Sequence, residues 1–111
     1  MMRYLWLALL SWTSTAHADR ISEMNPVELC AYTAKLEVAG MYYFLQGTAR
    51  PDVKLHWHGD ETENEIRFVT GALDHAYEWL NRARDRRVRE SVSAQAFGDM
   101  IYDACIHGQA L

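Results

Sequence analysis

The fold of this chain is decided by residues 25–47, which read NPVELCAYTAKLEVAGMYYFLQG. Asn25 is a favourable N-cap, Pro26 suits the first helical position and Glu28 follows the cap by three residues, so a helix is predicted to begin here. The helix is expected to end at Gly47. Its apolar residues recur at spacings of three and four, which places them on one predicted helix face: Val27, Ala31, Ala34, Val38, Met41 and Leu45.

Gly40 is an unfavourable residue for the middle of this helix. A helical glycine costs about 1 kcal/mol relative to alanine, so Gly40 predicts either a tight contact or a bend. The small residues Ala31 and Ala34 would also allow a neighbouring helix to come close.

Two further helices are predicted downstream. Residues 48–59 are interpreted as a connection, and Asp60 or Thr62 as the cap of the second helix, whose apolar stripe is Ile66, Val69, Leu73, Ala76, Leu80 and Ala83. A third helix is expected from about Ser91 or Ser93, with one apolar side formed by Ala94, Phe97, Ile101, Ala104 and Cys105. Since no alternating strand pattern occurs, the prediction is an all-α, three-helix bundle.

The beginning of the chain has the features of a secretory signal peptide. Arg3 provides positive charge, residues 4–12 form an apolar run too short to span a bilayer, and Ala16-His17-Ala18 is an A-x-A cleavage site. Cleavage after Ala18 would leave residues 19–111 as a single helical domain, periplasmic or secreted. An uncleaved membrane anchor is the alternative. No second apolar segment approaches spanning length, so the mature chain is expected to have no transmembrane segment.

The two cysteines, Cys30 and Cys105, lie near the two ends of the mature chain. In an oxidising compartment such an isolated pair is usually a disulfide. The bond would tie the first turn of the first helix to the last turn of the third. Because a domain of this size buries a modest share of its surface and has little stability to spare, the bond is expected to decide whether the domain folds.

Three short segments of the chain resemble a group of short exported helical proteins found in proteobacteria and their phages. The segments are Cys-Ala-Tyr-Thr-Ala-Lys-Leu at residues 30–36, Ala-Tyr-Glu at residues 76–78, and the run from Phe97 through Tyr102 to Cys105. The group usually has an Arg-Gln-x-Gly-like end to its first helix, where this chain has Leu45-Gln46-Gly47. The resemblance covers most of the mature chain. It implies the helical fold and the disulfide, and it implies no activity, since the group itself is functionally uncharacterised.

Residues 56–60, with the sequence HWHGD, form the candidate metal site. His56 and His58 can face the same side of an extended segment, and Asp60 adds an oxygen, which together suit Zn, Cu or Ni. A catalytic zinc would need a further firm ligand, and the sequence contains no HExxH-like pair. The competing interpretation, which the sequence favours, is a polar loop whose Trp57 packs on the bundle while the histidines face water.

A run of arginines forms the candidate interaction patch. Residues 82–89 contain five arginines and one aspartate, and arginine binds phosphate and carboxylate groups at two points. The competing interpretation is that these cations collect where the dipole at the end of the second helix favours them. With a nearby aromatic residue, the patch comprises Trp79, Arg82, Arg84, Arg86, Arg87 and Arg89. Of the three consecutive aromatics at residues 42–44, at least one is expected to be partly exposed.

Composition and motifs exclude several classes of function. A net charge of −4 disfavours general affinity for nucleic acid. The sequence has no GxSxG elbow, so no catalytic residue and no cofactor are expected. The expectation is a non-enzymatic periplasmic binding or interaction module, monomeric or homodimeric, whose partner is an unknown protein or envelope component. The alternatives are a metal-binding periplasmic protein that uses the HxH loop, and a phage-encoded envelope inhibitor or exclusion factor.

Overall fold

The described part of the chain is helical. A computed structural model of the protein describes residues 19–83 and 92–109, in which there are four α-helices and no strand. We number them α1 (Arg20–Glu23), α2 (Pro26–Leu45), α3 (Glu63–Arg82) and α4 (Ala94–Ile106), with a 3-10 helix (Arg50–Asp52) between α2 and α3. None of these helices is long and apolar enough to cross a membrane. The all-α prediction is confirmed, whereas the predicted signal peptide lies outside the described residues.

The three long helices begin at caps that the sequence contains. The side chains of Asn25 and Ser93 each accept a hydrogen bond from the backbone N–H three residues later, at 2.8 and 3.1 Å. Of the two caps considered for the second predicted helix, Thr62 is the one used, in a reciprocal capping box with Glu65. Local sequence signals therefore determine where α2, α3 and α4 start.

Helix α1 is an element that the sequence did not predict, and with it the part of the chain that the structure describes has four helices. It is a single turn, capped by Asp19, whose side chain accepts from the backbone N–H of Ile21 at 3.0 Å. A helix this short is unstable alone and shows no periodicity. Its Arg20 side chain bonds to Glu65 of α3 at 3.1 Å, so a tertiary contact holds α1 in place.

Helix α2 is the centre of the fold, because both α3 and α4 pack against it. Its buried residues recur at spacings of three and four, on a face that is rotated about the helix axis from the predicted stripe: Cys30, Ala34, Glu37, Gly40 and Met41. The prediction is wrong at both ends of the stripe, where Val27, Ala31 and Leu45 are exposed. In α3 the only exposed member of the predicted stripe is Ile66.

The apolar core has two parts. One is shared by all three long helices and consists of Ala34, Met41, Ala76, Leu80, Phe97 and Ile101. The other lies between α2, α3 and the connection that joins them, and consists of Val53, Val69, Leu73 and Tyr77. The Tyr77 hydroxyl donates to the carbonyl of Thr48 at 2.6 Å. This hydrogen bond and the burial of Val53 hold the connection against α3.

The predicted disulfide is confirmed. Cys30 and Cys105 are bonded, with their Cα atoms 5.5 Å apart and 75 positions of sequence separation between them. Cys30 is in the second turn of α2 and Cys105 is the penultimate residue of α4. The bond therefore fixes the end of α4 against the beginning of α2.

Gly40 marks a tight contact. A Cβ atom at this position would lie 3.1 Å from the Cβ of Ala76 and 3.3 Å from Cδ2 of Leu73. The missing side chain lets α2 and α3 approach closely at the middle of both helices. Gly71 of α3 contrasts with it, because a Cβ there would meet no atom within 4 Å.

Removing the disulfide should cost much of the stability of the domain. In the chain-entropy treatment, a cross-link that closes a loop of 75 residues contributes about 4.5 kcal/mol by restricting the unfolded chain. We expect the double variant Cys30→Ala/Cys105→Ala, and equally the reduced wild-type chain, to lose most of this free energy in guanidinium unfolding. A loss below about 1 kcal/mol in both samples would contradict the stabilising role of the bond.

Gly40→Ala should destabilise the protein even though alanine favours helix. Overpacking a close contact costs about 1–3 kcal/mol, which exceeds the gain in helix propensity of about 1 kcal/mol. Gly71→Ala is the matched control, since it gains the propensity without the clash and should stabilise. The two free energies of unfolding should differ by at least about 1 kcal/mol. Equal stabilisation by both substitutions would show that α2 and α3 do not cross tightly at Gly40.

Candidate functional site

A cleft of about 830 Å³ lies where α1 and the connection before α3 meet the faces of α2 and α3. Two aromatic rings, of Tyr32 and Trp57, line it, and Trp57 is 41% exposed. The apolar wall is formed by Ile21, Met24, Leu36, Leu55 and Val69. We call this site the cleft.

Arg20 organises the charged rim of the cleft. Its guanidinium contacts the carboxylate of Asp60 at 2.6 Å and that of Glu65 at 3.1 Å. The hydrogen bond from Arg20 and its positive charge hold the pKa of the exposed Asp60 carboxyl below its ordinary value. Arg20 thus joins three separate parts of the chain, namely α1, the connection and α3.

The loop that carries the two histidines is held by the side chain of Glu61. Its carboxylate accepts hydrogen bonds from the backbone N–H groups of His58 and Gly59. Gly59 has a φ of 101°, a left-handed conformation that glycine adopts readily. Asp60, Glu61 and Glu65 all line the cleft, so its charged part has three carboxylates, of which that of Glu65 is buried, and the single guanidinium of Arg20.

The predicted metal ligands do not assemble into a metal site. His56, His58 and Asp60 all line the cleft, but within residues 19–83 and 92–109 no three His, Cys, Asp or Glu side chains are grouped so as to hold a metal ion. The carboxylate of Asp60 pairs with Arg20 instead. Both histidines are exposed, as the polar-loop interpretation expected, while Trp57 borders the cleft.

The predicted interaction patch falls largely on the part of the chain that the structure does not describe. Arg84, Arg86, Arg87 and Arg89 lie outside the described residues, and Arg82 is the last residue of α3. Trp79 is half-buried and its ring lies 5.3 Å from that of Phe97, against the core. An exposed aromatic does occur on α2, where Tyr42 is 55% exposed.

A second cavity, of about 440 Å³, lies between α3 and α4 with α2 at its base. We call it the groove. It runs beside the disulfide, and its lining is predominantly apolar, with Phe68, Ala72, Ile101 and Ala104 among the contributing residues. Gly71 also lines it, and a Cβ atom at that glycine would meet no atom within 4 Å.

The groove contains a buried acid paired with a histidine. Glu37 of α2 is 3% exposed, and its Oε1 lies 2.5 Å from Nδ1 of His75 in α3. Burial raises the pKa of Glu37 above its ordinary value, and the hydrogen bond and charge of His75 oppose this only in part. Both residues line the groove.

Neither Glu37 nor His75 was singled out from the sequence. A signal was present, because Glu37 lies three residues after Ala34 and four before Met41, in register with buried positions. An acidic residue in an apolar register indicates a paired or functional carboxylate. Its partner could not be found in the same way, since His75 is 38 positions away and only helix packing brings the two together.

Comparison with known proteins gives no match: no protein-family model, no curated protein and no solved structure is similar to this chain.

Glu37→Gln should stabilise the protein more at pH 7 than at pH 4. A carboxyl group whose pKa is raised by folding binds more protons in the folded state, so stability falls as pH rises from near the ordinary value of 4.5 through the folded pKa. Glutamine leaves an acceptor for His75 and has no charge to desolvate. The free energy of unfolding, variant minus wild type, should therefore increase between pH 4 and pH 7.

The matched control for this measurement is Glu78→Gln, which neutralises an exposed carboxylate on the same helix as His75. We expect its difference from wild type to change little over the same range. If Glu37→Gln becomes less stabilising as pH rises, the burial of Glu37 is not the dominant influence on its ionisation.

Proposed function

We propose that this protein is a non-enzymatic, exported binding module whose cleft holds a short segment of a partner protein, one that combines a basic residue with apolar side chains. The observation that carries the proposal is the composition of the cleft, which joins an apolar wall and two aromatic rings to a rim with excess negative charge.

The apolar part of the cleft supports the binding of a side chain rather than of a free ion. Tyr32 and Trp57 belong to the residue types that are enriched at protein interfaces, where their large surfaces carry much of the binding energy. An exposed Trp also attracts cations to the face of its ring. The cleft would therefore accommodate both the charged group of a basic residue and an apolar side chain beside it.

The charged part of the cleft favours a partner segment with positive charge. Three carboxylates face one guanidinium, which leaves two negative charges in excess when the histidines are neutral. Arg20 already bonds to two of these carboxylates, so little positive charge remains for an acidic ligand. Complementary charge would steer a basic segment to the cleft and repel an acidic one.

Export is part of the proposal, and the disulfide supports it. Disulfides persist in oxidising compartments and are rare in the cytosol, and the two cysteines at residues 30 and 105 are bonded in this protein. Together with the signal-like sequence of residues 1–18, this bond favours a site of action outside the cytosol.

The cleft should bind a basic apolar peptide in preference to its acidic counterpart. In residues 19–111 the only tryptophans are Trp57 and Trp79, so Trp79→Phe leaves Trp57 as the sole reporter. We expect Ac-Leu-Lys-Phe-Lys-Leu-NH2 to change the fluorescence of this variant saturably. The same peptide with Glu in place of Lys should bind at least tenfold more weakly. Raising the salt concentration should lower the affinity for the basic peptide, because salt screens the attraction between charges.

The location of binding is tested by calorimetry on two aromatic variants of the otherwise unchanged chain. Trp57→Ala removes a ring from the cleft and should lower the affinity for the basic peptide at least fivefold. Tyr42→Ala removes an exposed ring that does not line the cleft and should leave the affinity unchanged. Equal binding of the two peptides, or equal effects of the two substitutions, would overturn the proposal.

A further inference from the structure

The groove between α3 and α4 has a chemical character different from that of the cleft. It is formed because α3 and α4 each pack on α2 and approach one another less closely than they approach α2. No side chain at Gly71 fills the space, and Ala72 and Ala104 occupy little of it. The result is a preformed, mostly apolar cavity built from long helices. Its volume of about 440 Å³ is in the range, about 300–1,000 Å³, of sites that bind small molecules.

Two polar atoms in this groove, Oε2 of Glu37 and Nε2 of His75, have no described hydrogen-bond partner, and the other polar residues of the lining are Thr33, Arg67 and Gln109. When Glu37 is ionised it only accepts, so Nδ1 of His75 donates to Oε1 of Glu37 and leaves Nε2 as an acceptor in the neutral imidazole. Among the described residues, no group donates to Oε2 of Glu37 or to Nε2 of His75. The side chain of Glu37 is only 4% exposed, so water satisfies it poorly.

The charge of the Glu37–His75 pair also requires compensation. With a neutral imidazole, the pair carries one negative charge beside an apolar surface, and a buried charge without compensation is costly. Among the described residues that line the groove, the only arginine or lysine is Arg67, whose side chain is 72% exposed and pairs with Glu63 at 3.3 Å. Arg67 therefore lies at the outer edge of the groove and does not compensate Glu37.

We propose that the groove binds a small amphiphilic amine, with its apolar body against Phe68, Ala72 and Ile101 and its ammonium group bonded to Glu37. An ammonium carries three N–H donors and no acceptor, which matches a site that offers two acceptors. Its positive charge also neutralises the carboxylate. An alcohol of the same shape would supply one donor and no charge, and a carboxylate would supply no donor and would add a second negative charge.

The proposal is tested with three linear probes of eight carbons each: octylamine, octan-1-ol and octanoate. Each is titrated at pH 8, above the range in which histidines ordinarily change charge, and below its micelle-forming concentration. We expect octylamine to bind with the highest affinity and octanoate at least tenfold more weakly, by calorimetry. Amide NMR shifts caused by octylamine should centre on the groove residues of α3 and α4. Failure of octylamine to bind, or equal binding of octanoate, would overturn the proposal.

Two variants connect the binding to the groove. Gly71→Leu adds a side chain where there is open space, so it should preserve the fold and reduce octylamine binding at least tenfold. Glu37→Gln removes the charge and turns one acceptor into a donor, and it should abolish the preference for the amine over the alcohol. Retention of that preference in Glu37→Gln, or unchanged binding in Gly71→Leu, would contradict the proposed site.

The groove and the cleft are tested separately. Trp57→Ala alters the cleft and should leave the affinity for octylamine unchanged, because Trp57 does not line the groove. Binding of octylamine that is lost in Trp57→Ala and retained in Gly71→Leu would assign the amine to the cleft and overturn the inference. Failure of the basic peptide to bind the cleft leaves the octylamine result as it stands, so the two proposals fail independently.

Discussion

The covalent bond between Cys30 and Cys105 is the constraint on which the helix arrangement depends. Helix α4 has 13 residues and packs mainly on α2, so its position depends chiefly on one neighbouring helix. The bond holds its last turn beside the start of α2, and Phe97 in its first turn is fully buried in the core at the other end. With both ends held, α4 lies along α2, and the groove beside the bond exists because α3 lies along α2 as well.

The groove is kept open at a cost to stability. Larger apolar residues at Gly71 and Ala72 would fill it, and a neutral side chain at Glu37 would avoid the desolvation that raises the pKa of the carboxyl. A buried ion pair is weak support for a fold, since packed apolar residues of similar volume are often as stabilising. Buried titratable groups with perturbed pKa values are typical of functional sites, so the buried carboxyl of Glu37, whose pKa is raised by burial, is in keeping with the proposed amine site.

The cleft and the groove lie on either side of one ring contact. Tyr32 lines the cleft, Phe68 lines the groove, and the two rings stack with centroids 5.9 Å apart. The two sites differ in origin, because the cleft depends on a connecting loop and on the single turn of α1, whereas the groove is formed chiefly by the long helices. The lining of the cleft has more carboxylates than guanidinium groups, and the groove contains the carboxylate of Glu37, in keeping with a chain of net charge −4.

The sequence alone determined the three long helices and, to within two residues, their starting points, because caps such as Asn25, Thr62 and Ser93 act through hydrogen bonds to residues three positions away. It also determined the cysteine pairing, since only one pairing is possible, and it indicated the close contact at Gly40. It could not determine which face of α2 is buried, because that depends on two helices packing on it at once. Nor could it place Arg20 against Glu65 or Glu37 against His75, pairs that are 45 and 38 positions apart. Contacts over such distances follow from the relative position of packed helices, which local hydrogen bonding and periodicity do not specify, and both candidate sites depend on contacts of this kind.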